Sequence, residues 1–374
     1  MTTPSAVLQV LPALASGGVE RGTIEIAEAI RDSGFRPIVA SAGGALVSEL
    51  ERLGVRHVML PLATKSPLGL WRNAGSLTAL ARAEGVRIIH ARSRAPAWSA
   101  LLAARRSGAA FVTTYHGTYN ENLPGKRLYN SVMARGDRVI AISGFIADLI
   151  RTRHGVPEER IRLIPRGVDP RRFDPALISA DAIDAQRAAW DAAPGVPVIL
   201  LPGRLTRWKG QGVLVAALAR LRPPAIAVLA GGGRPGFQAE LQAQAAREGV
   251  ADRLRILGHV PDLAVAMAAA DVVVHASTDA EAFGRTVIEA QAMARPVIAA
   301  DLGGPRETVE QGATGWRVPP GDPDALAKCL AQVLGMSTSA REAVGRAARM
   351  AVLARYSTAA MQAATLDVYR ELLA

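Results

Sequence analysis

Short runs rich in Val, Ile and Leu alternate along this chain with alanine-rich stretches of helical periodicity, and this alternation strongly restricts the fold. Helical patterns at 20–32, 70–83 and 97–106 separate the apolar runs of the first half. Buried parallel strands read as nearly continuous apolar runs, and the helices between them cover both faces of the sheet. The first half is therefore predicted to be an α/β domain. Its predicted strands are 6–11, 37–40, 57–60, 88–90, 111–114, 139–142 and 161–164.

The second half repeats this rhythm. Between the halves, residues 168–197 contain several Asp and Pro residues and a helical pattern near 180–191, which is typical of a linker. We therefore predict two tandem doubly wound domains, with ligands bound beyond the carboxyl ends of the strands, in a cleft between the domains. The predicted strands of the second half are 198–201, 226–230, 254–257, 272–275, 297–300 and 316–318.

The composition indicates a large folded chain with excess positive charge. Of the 374 residues, 49% are hydrophobic and 21% are charged, and the formal net charge is +11. A basic surface suits an anionic ligand, an anionic membrane or nucleic acid, unless the arginines are simply spread over solvated faces. Aromatic residues make up only 4% of the chain, which leaves few stacking platforms for single-stranded nucleic acid. We therefore expect no nucleic-acid partner.

The first apolar segment, "AVLQVLPALASGG", contains the Ala13-x-Ala15 pattern of a secretory signal. However, no basic residue precedes it, and Gln9 and Pro12 interrupt it. No apolar run reaches the ~20 residues of a membrane helix. The single cysteine, Cys329, excludes an internal disulfide and is typical of a reducing compartment. These features predict a buried first strand and a cytoplasmic protein.

The segment "GGGRPG" at 231–236 matches a dinucleotide-binding pattern through Gly231, Gly233 and Gly236. The acidic residue that would bind the ribose is missing from the end of the next predicted strand, and Pro235 stands where the helix should open. We therefore predict close approach of the backbone to some other ligand, which glycine permits.

The segment "EAFGRTVIEAQAMARPVIA" at 281–299 follows a predicted strand. We predict a loop and then a helix that begins at Arg285 or Thr286, runs to about Ala294 and stops before Pro296. Free amides at a helix start bind phosphate, and carboxylates such as Glu281 accept hydrogen bonds from sugar hydroxyls. The segment therefore predicts a site for a sugar diphosphate. The alternative is an ordinary solvated helix with scattered charges.

A second stretch, "LPGRLTRWKGQG" at 201–212, follows the first strand of the second half. Arg204, Arg207 and Lys209 cluster at the carboxyl end of that strand. Arginine offers phosphate a planar fork and lysine a point charge. The cluster therefore predicts a diphosphate clamp, although each cation taken singly is typical of a surface residue.

Together these two segments resemble the retaining nucleotide-sugar glycosyltransferases of family 4, which have the GT-B fold. The resemblance extends to "ASGGVER", "YHG", "IPRGVD", "ILGHVPDLAVAMAAADVVVHAS" and "DLGGPRETVEQGATGWRVPPGD". It implies two Rossmann-like domains that face a central cleft. Residues 1–170 would form the acceptor-side domain and 171–356 the donor-binding domain, and a final helix at about 357–374 would cross back to the first domain.

The resemblance also implies roles for individual residues. Glu281 would hold hydroxyls of the donor sugar and Glu289 the ribose. Arg204 and Lys209 would neutralise the diphosphate, and His116 would lie near the transferred sugar unless its role is structural. The residues expected to line the donor site otherwise are Gly17, Gly18, Val260, Phe283, Gly284, Arg285 and Thr286.

Two positions depart from the family pattern. Arg166 stands where Asn is common, and it is expected to contact donor phosphate or the acceptor, or else to face solvent. Arg295 replaces a common Gly before Pro296, which should weaken the end of the preceding helix slightly.

The implied function is retaining transfer of a hexose from a nucleoside-diphosphate sugar to a cell-envelope glycan or glycolipid, as in lipopolysaccharide or polysaccharide biosynthesis. Neither a metal nor a cofactor is expected, and Glu281 would position the sugar rather than attack it. Lys126, Arg127 and Arg135 lie on one stretch that suits an anionic membrane surface, and equally a solvated helix face. The alternatives are a nucleotide-sugar epimerase and a non-catalytic nucleotide-sugar binding protein.

Overall fold

The computed structural model describes residues 5–15, 17–222 and 224–374. The chain divides into two compact units. One unit comprises the chain up to Arg166 together with Thr358–Ala374, and the other comprises Gly167–Ser357.

The first unit is built on a seven-stranded sheet with the order β3-β2-β1-β4-β5-β6-β7, in which every pairing is parallel. The strands are β1 (Ala6–Val10), β2 (Arg36–Ser41), β3 (Arg56–Met59), β4 (Val86–Ala91), β5 (Ala110–Tyr115), β6 (Arg138–Ala141) and β7 (Ile161–Leu163). The helices between them are α1 (Gly18–Asp32), α2 (Val47–Arg52), α3 (Pro67–Ala83), α4 (Arg94–Ser107), α5 (Lys126–Asn130) and α6 (Gly144–His154).

Local sequence explains where these elements form. All five residues of β1 are buried, as expected of a strand with both faces covered. Helix α3 begins after Ser66, whose hydroxyl accepts a hydrogen bond from Gly69 N, and α6 begins after Ser143 in the same way. These caps satisfy amide groups that a helix start leaves without intrahelical partners.

The second unit contains a six-stranded parallel sheet with the order β10-β9-β8-β11-β12-β13. Its strands are β8 (Val198–Pro202), β9 (Ile226–Ala230), β10 (Leu254–Gly258), β11 (Val272–His275), β12 (Val297–Ala300) and β13 (Trp316–Val318). Its helices are α7 (Ala180–Ala189), α8 (Gln211–Arg220), α9 (Pro235–Arg247), α10 (Leu263–Ala269), α11 (Arg285–Ala292), α12 (Pro305–Thr308), α13 (Pro323–Leu334) and α14 (Thr338–Arg355).

The last helix, α15 (Thr358–Leu373), belongs to the first unit. Met361, Leu366 and Tyr369 pack into the same core cluster as Val7 and Ile26. The prediction that the final helix returns to the first domain is therefore confirmed.

Both sheets have a position where the strand order reverses, between β1 and β4 in the first unit and between β8 and β11 in the second. Loops that follow such adjacent strands diverge and leave a crevice, in which doubly wound proteins bind their ligands. The predicted α/β fold with two doubly wound parallel sheets is confirmed, and the loops after β8 and β11 border the crevice of the second unit.

Two local predictions need correction. The segment at 168–197 is an integral part of the second unit rather than a linker, because Trp190 is 1% exposed and Val168 N donates to Tyr356 O at 2.8 Å. Helix α11 ends at Ala292 instead of running to Ala294, because Ala294 adopts a left-handed conformation with φ of 52°.

Within the described ranges, the structure contains no helix with both the length and the apolar character needed to span a membrane.

Candidate functional site

The loop after β8 and the loop after β11 are joined at the strand-order reversal. Thr278 N donates to Trp208 O at 2.8 Å. Gly210 has φ of 73°, and a Cβ atom there would lie 1.8 Å from Ala276 O. Only glycine allows this approach in the left-handed region. The contact fixes the short 3₁₀ turn at Arg207–Lys209 against the segment that leads to Glu281.

Four polar side chains meet where these loops touch. Lys209 Nζ donates to Glu281 Oε1 at 2.8 Å and to Oε2 at 2.7 Å. His275 Nε2 lies 2.5 Å from Glu281 Oε2, and Ser277 Oγ donates to the same oxygen at 3.2 Å. The side chains of Lys209 and Glu281 are only 13% and 19% exposed. A largely buried carboxylate therefore has two donors on the β11 side and one cation on the β8 side.

The environment keeps Glu281 ionised. Burial alone would raise the pKa of its carboxyl, but the adjacent His275 and the Lys209 ammonium outweigh burial and hold that pKa far below the ordinary range. The carboxylate can therefore accept hydrogen bonds at any physiological pH, and it cannot serve as a proton donor.

A third loop, after β12, supports Glu281 through its backbone. Gly304 N donates to Glu281 O at 2.8 Å, and Glu281 forms an isolated parallel bridge with Gly303. Phe283 is 3% exposed and packs edge-on against the Tyr356 ring, with the ring centroids 5.7 Å apart. Because its side chain is committed to this packing, Phe283 can offer a ligand only its backbone.

Helix α11 begins directly after the loop that carries Glu281. Gly284, with φ of 83°, is its N-cap, and Arg285 and Thr286 are its first two residues. Glu289, 8% exposed, lies one turn further and forms an ion pair with Arg285, whose Nε is 3.4 Å from Oε1. The positive end of a helix and a second carboxylate therefore adjoin the Glu281 loop.

The structure does not place all three cations of the predicted diphosphate clamp at the same site. Arg204 is exposed and, among the described residues, makes no ion pair, while its carbonyl is held by Gln211 Nε2 at 3.0 Å. Arg207 turns away and forms an ion pair with Glu240 of α9 at 2.7 Å. Clustering of Arg207 with Lys209 was therefore a wrong prediction, and the loop offers Arg204 and Lys209.

The glycine-rich segment at 231–236 packs closely against the loop after β8. A Cβ atom at Gly231 would lie 2.1 Å from Gly203 O, and one at Gly233 would lie 2.3 Å from Leu205 Cβ. These glycines let the loops after β8 and β9 run side by side, and the approach of this segment to a ligand stays a prediction. Pro235 is the first residue of α9, a favoured position because the missing amide would have had no intrahelical partner.

Other predicted site residues lie elsewhere in the fold. Gly17 and Gly18 stand at the start of α1, and His116 follows β5, all in the first unit. Val260 is half-buried in the loop after β10, the edge strand of the second sheet. Within the second unit, the structure brings together Lys209, Glu281 and the start of α11. The donor-site roles of Gly17, Gly18, His116 and Val260 stay predictions.

Arg166 does not face solvent. It is 4% exposed, and its Nη2 donates to Gly18 O at 2.6 Å and lies 3.8 Å from Glu25 Oε2. This side chain supports the first turn of α1, behind the glycine loop that follows β1.

Within the described ranges, no three His, Cys, Asp or Glu side chains converge in the manner of a metal site.

Comparison with known proteins relates this geometry to a family. The model of Glycosyltransferase Family 4 matches residues 16–172, and the model of Glycosyl transferases group 1 matches residues 182–350. The crystal structure of a glycosyltransferase from Rickettsia africae superimposes with a TM-score of 0.91 at 36% identity, covering 100% of this chain and 99% of that one. The chain belongs to glycosyltransferase family 4. Its two parallel sheets are those of the GT-B fold.

Two further relatives of this family 4 glycosyltransferase bear on its ligands. HepE from Anabaena, solved in complex with UDP and glucose, has a TM-score of 0.88 and 26% identity over 98% of this chain and 100% of its own. A protein of Jonesia denitrificans named D-inositol 3-phosphate glycosyltransferase is 36% identical over 228 residues, which are 58% of this chain and 53% of the relative. The match thus spans about half the length of that relative.

Sequence reasoning did not single out His275 or Ser277, which contact Glu281 in this glycosyltransferase. Both were within the quoted strand pattern, and a signal was available. An ionisable residue at the carboxyl end of an otherwise apolar strand is unusual unless it serves the adjacent loop.

Proposed function

We propose that this family 4 glycosyltransferase transfers a hexose from a nucleoside-diphosphate sugar bound at the carboxyl ends of β8 and β11. The observation that carries the proposal is the meeting of Lys209 and Glu281 beside the start of α11. A cation and a helix N-terminus are suited to a diphosphate, and a carboxylate held in its ionised form is suited to sugar hydroxyls.

The charge distribution supports a transfer reaction. Breaking the bond between the anomeric carbon and the phosphate concentrates negative charge on the diphosphate, which Lys209, Arg204 and the amides of α11 are placed to stabilise. Glu281 acts as a positioner of the sugar and Glu289 as an acceptor for ribose hydroxyls. In this proposal the acceptor hydroxyl attacks the anomeric carbon on the face from which the nucleoside diphosphate departs, and a phosphate oxygen of the leaving group takes the hydroxyl proton. The anomeric configuration is therefore retained, and the step uses neither a metal nor a cofactor.

Anabaena HepE supports a uridine nucleotide as the donor, since that protein was solved with UDP and glucose. The experiment is a thermal-shift panel with UDP, GDP, ADP and their hexose conjugates. A ligand at one hundred times its dissociation constant should stabilise the protein by about 2.7 kcal/mol. A parent protein that responds to no member of the panel would contradict the proposed donor site.

For the acceptor, a cell-envelope glycan or glycolipid is proposed, and a phosphorylated cyclitol is the second candidate because curated relatives carry the name D-inositol 3-phosphate glycosyltransferase. Incubation of the donor with a lipopolysaccharide core fraction and, separately, with inositol 3-phosphate distinguishes the two. Proton NMR of the product reports whether configuration is retained, and turnover that survives a chelator supports metal independence. Product formed from the nucleotide sugar alone would instead indicate an epimerase. Tight binding of the nucleotide sugar without any turnover would indicate a binding protein.

The surface of the first unit supports contact with the inner face of an anionic membrane. Leu123 and Leu128 are 59% and 63% exposed, and Lys126 and Arg127 lie between them. Exposed leucines beside cations suit an anionic bilayer. Co-sedimentation with phosphatidylcholine vesicles, with and without phosphatidylserine, tests this. Leu128→Ser should reduce binding, whereas Leu177→Ser, a change at a 65% exposed leucine of the second unit, should not.

A further inference from the structure

Glu281 is contacted by two kinds of donor, one on a flexible side chain and one on a buried strand. We infer that His275 is a positioning residue, which holds one oxygen of Glu281 so that the carboxylate stays aimed at the donor sugar when Lys209 turns to the diphosphate. This inference rests on the proposed function and assigns a further residue to the same site.

The rigidity of its setting suits His275 to this task. It is the last residue of β11 and 5% exposed, and β11 is paired with β8 on one side and with β12 on the other. Lys209 instead carries its ammonium on a four-carbon stem with several rotatable bonds. The orientation of the carboxylate is therefore set from the strand, and the lysine is free to exchange partners.

The hydrogen bonds around Glu281 divide in a way that leaves one oxygen available. Oε2 accepts from His275, Ser277 and Lys209. Within the described part of the chain, Oε1 accepts from Lys209 alone, at 2.8 Å. An ionised carboxylate has about four acceptor positions. Oε1 therefore keeps capacity for a hydroxyl, and it gains more when Lys209 leaves.

The negative charge of a bound diphosphate would draw the Lys209 ammonium away from Glu281. In the structure this ammonium is paired with the Glu281 carboxylate. A diphosphate offers a larger negative charge, so the cation is shared with or transferred to the ligand. Glu281 then depends on His275 Nε2–H, because a carboxylate can only accept and the ring nitrogen at 2.5 Å must therefore carry the proton. His275 therefore orients the carboxylate that recognises the sugar, and Lys209 binds the diphosphate.

Two substitutions on the full-length chain test this role. His275→Leu removes the donor and keeps an apolar side chain of moderate size. His275→Gln restores an amide N–H near the position of Nε2. Val274→Ala is the matched control, because Val274 is a buried neighbour on β11 that packs in the core cluster of the second unit, and its apolar side chain cannot form a hydrogen bond with Glu281. Calorimetry would measure the affinity of each variant for UDP and for UDP-glucose, and for the GDP and ADP pairs if the parent prefers those.

We expect His275→Leu to keep the parent's affinity for the nucleoside diphosphate within about threefold. It should lose affinity for the sugar conjugate about ten- to hundredfold, the range for a hydrogen bond to a buried charged group. His275→Gln should recover most of that loss, and Val274→Ala should lower the melting temperature while leaving the ratio of the two affinities unchanged.

Two outcomes would overturn the inference. In one, His275→Leu binds the sugar conjugate as the parent does. In the other, His275→Leu loses affinity for the nucleoside diphosphate and for the sugar conjugate by the same factor, which indicates a purely structural role. A parent that binds no pair would instead refute the proposed function itself, and the inference would fall with it.

Discussion

The Lys209 ammonium and the Glu281 carboxylate, 72 positions apart in the sequence, lie 2.7 Å apart where the loops after β8 and β11 meet. The pair neutralises two charges that the proposed ligand would otherwise face separately. A nucleotide sugar that binds here must therefore replace part of the contact between Lys209 and Glu281 with its own contacts. Its affinity then depends on the residues around the pair.

Lys209→Met should lower the affinity for a nucleoside diphosphate about ten- to hundredfold, because a charge-assisted hydrogen bond to phosphate is lost. Arg207→Met is the matched control on the same turn, since Arg207 pairs with Glu240 and its side chain is 77% exposed. It should leave the affinity unchanged. Calorimetric titration with UDP measures both, and equal losses in the two variants would contradict the assignment of the clamp.

Glu289→Ala should weaken binding of UDP and leave binding of inorganic pyrophosphate unchanged, because pyrophosphate has no ribose for the carboxylate to hold. Gln291→Ala is the control on the same helix. Its amide Nε2 donates to Thr308 O at 2.9 Å, so its loss should reduce stability without changing either affinity. If Glu289→Ala weakens the binding of pyrophosphate as strongly as the binding of UDP, Glu289 acts by stabilising α11 and not by contacting the ribose.

Gly210→Ala should destabilise the second unit by at least about 2 kcal/mol, the sum of a left-handed backbone penalty and a steric overlap. The new methyl group would meet Ala276 O, whereas a Cβ atom at Gly232 has nothing within 4 Å. Gly232→Ala should therefore change the free energy of unfolding by less than about 0.5 kcal/mol. Urea unfolding monitored by circular dichroism compares the two, and similar losses would show that the loop after β8 can move away from β11.

Acid should destabilise the first unit through His90. Burial, helped by the nearby Arg92 charge, lowers the pKa of this imidazole well below its usual value. The unfolded chain then takes up a proton below about pH 6.5 that the native protein does not, so the free energy of unfolding falls as pH drops, by up to about 1.4 kcal/mol per unit. His90→Gln should reduce this slope between pH 6.5 and 5.5 in urea unfolding. An unchanged slope would mean that other groups carry the pH dependence.

Much of the fold was predictable because the physical signal is local. Parallel strands covered on both faces must be almost wholly apolar, as β8 and β9 are. The segment at 168–197 was misjudged because its burial depends on distant partners. Helix α7 packs on α10, and Arg187 of α7 donates to Ala269 O at 2.9 Å. Nothing within the segment itself reports those contacts.

The site was predictable residue by residue but not as an assembly. Lys209 and Glu281 could each be placed at the carboxyl end of a strand, but their meeting depends on β8 lying next to β11, which spacing along the chain does not specify. The sequence likewise does not show in which direction a side chain points within a short turn. Arg207 and Lys209 are two positions apart, and their charged ends pair with different carboxylates, those of Glu240 and Glu281.

Helix α15 completes the hydrophobic core that contains Val7 of β1 and Ile26 of α1. Tyr369 OH lies 2.6 Å from His90 Nδ1, and Glu371 pairs with Arg138 and Arg162 at 2.6 and 2.5 Å. During synthesis, therefore, the first unit leaves the ribosome before the second unit but is completed after it, because its apolar surface waits for a helix that is translated after the whole second unit. Until α15 has been translated, the nascent chain should depend on chaperones, and termination shortly before residue 358 should leave a folded second unit tethered to an unfinished first unit.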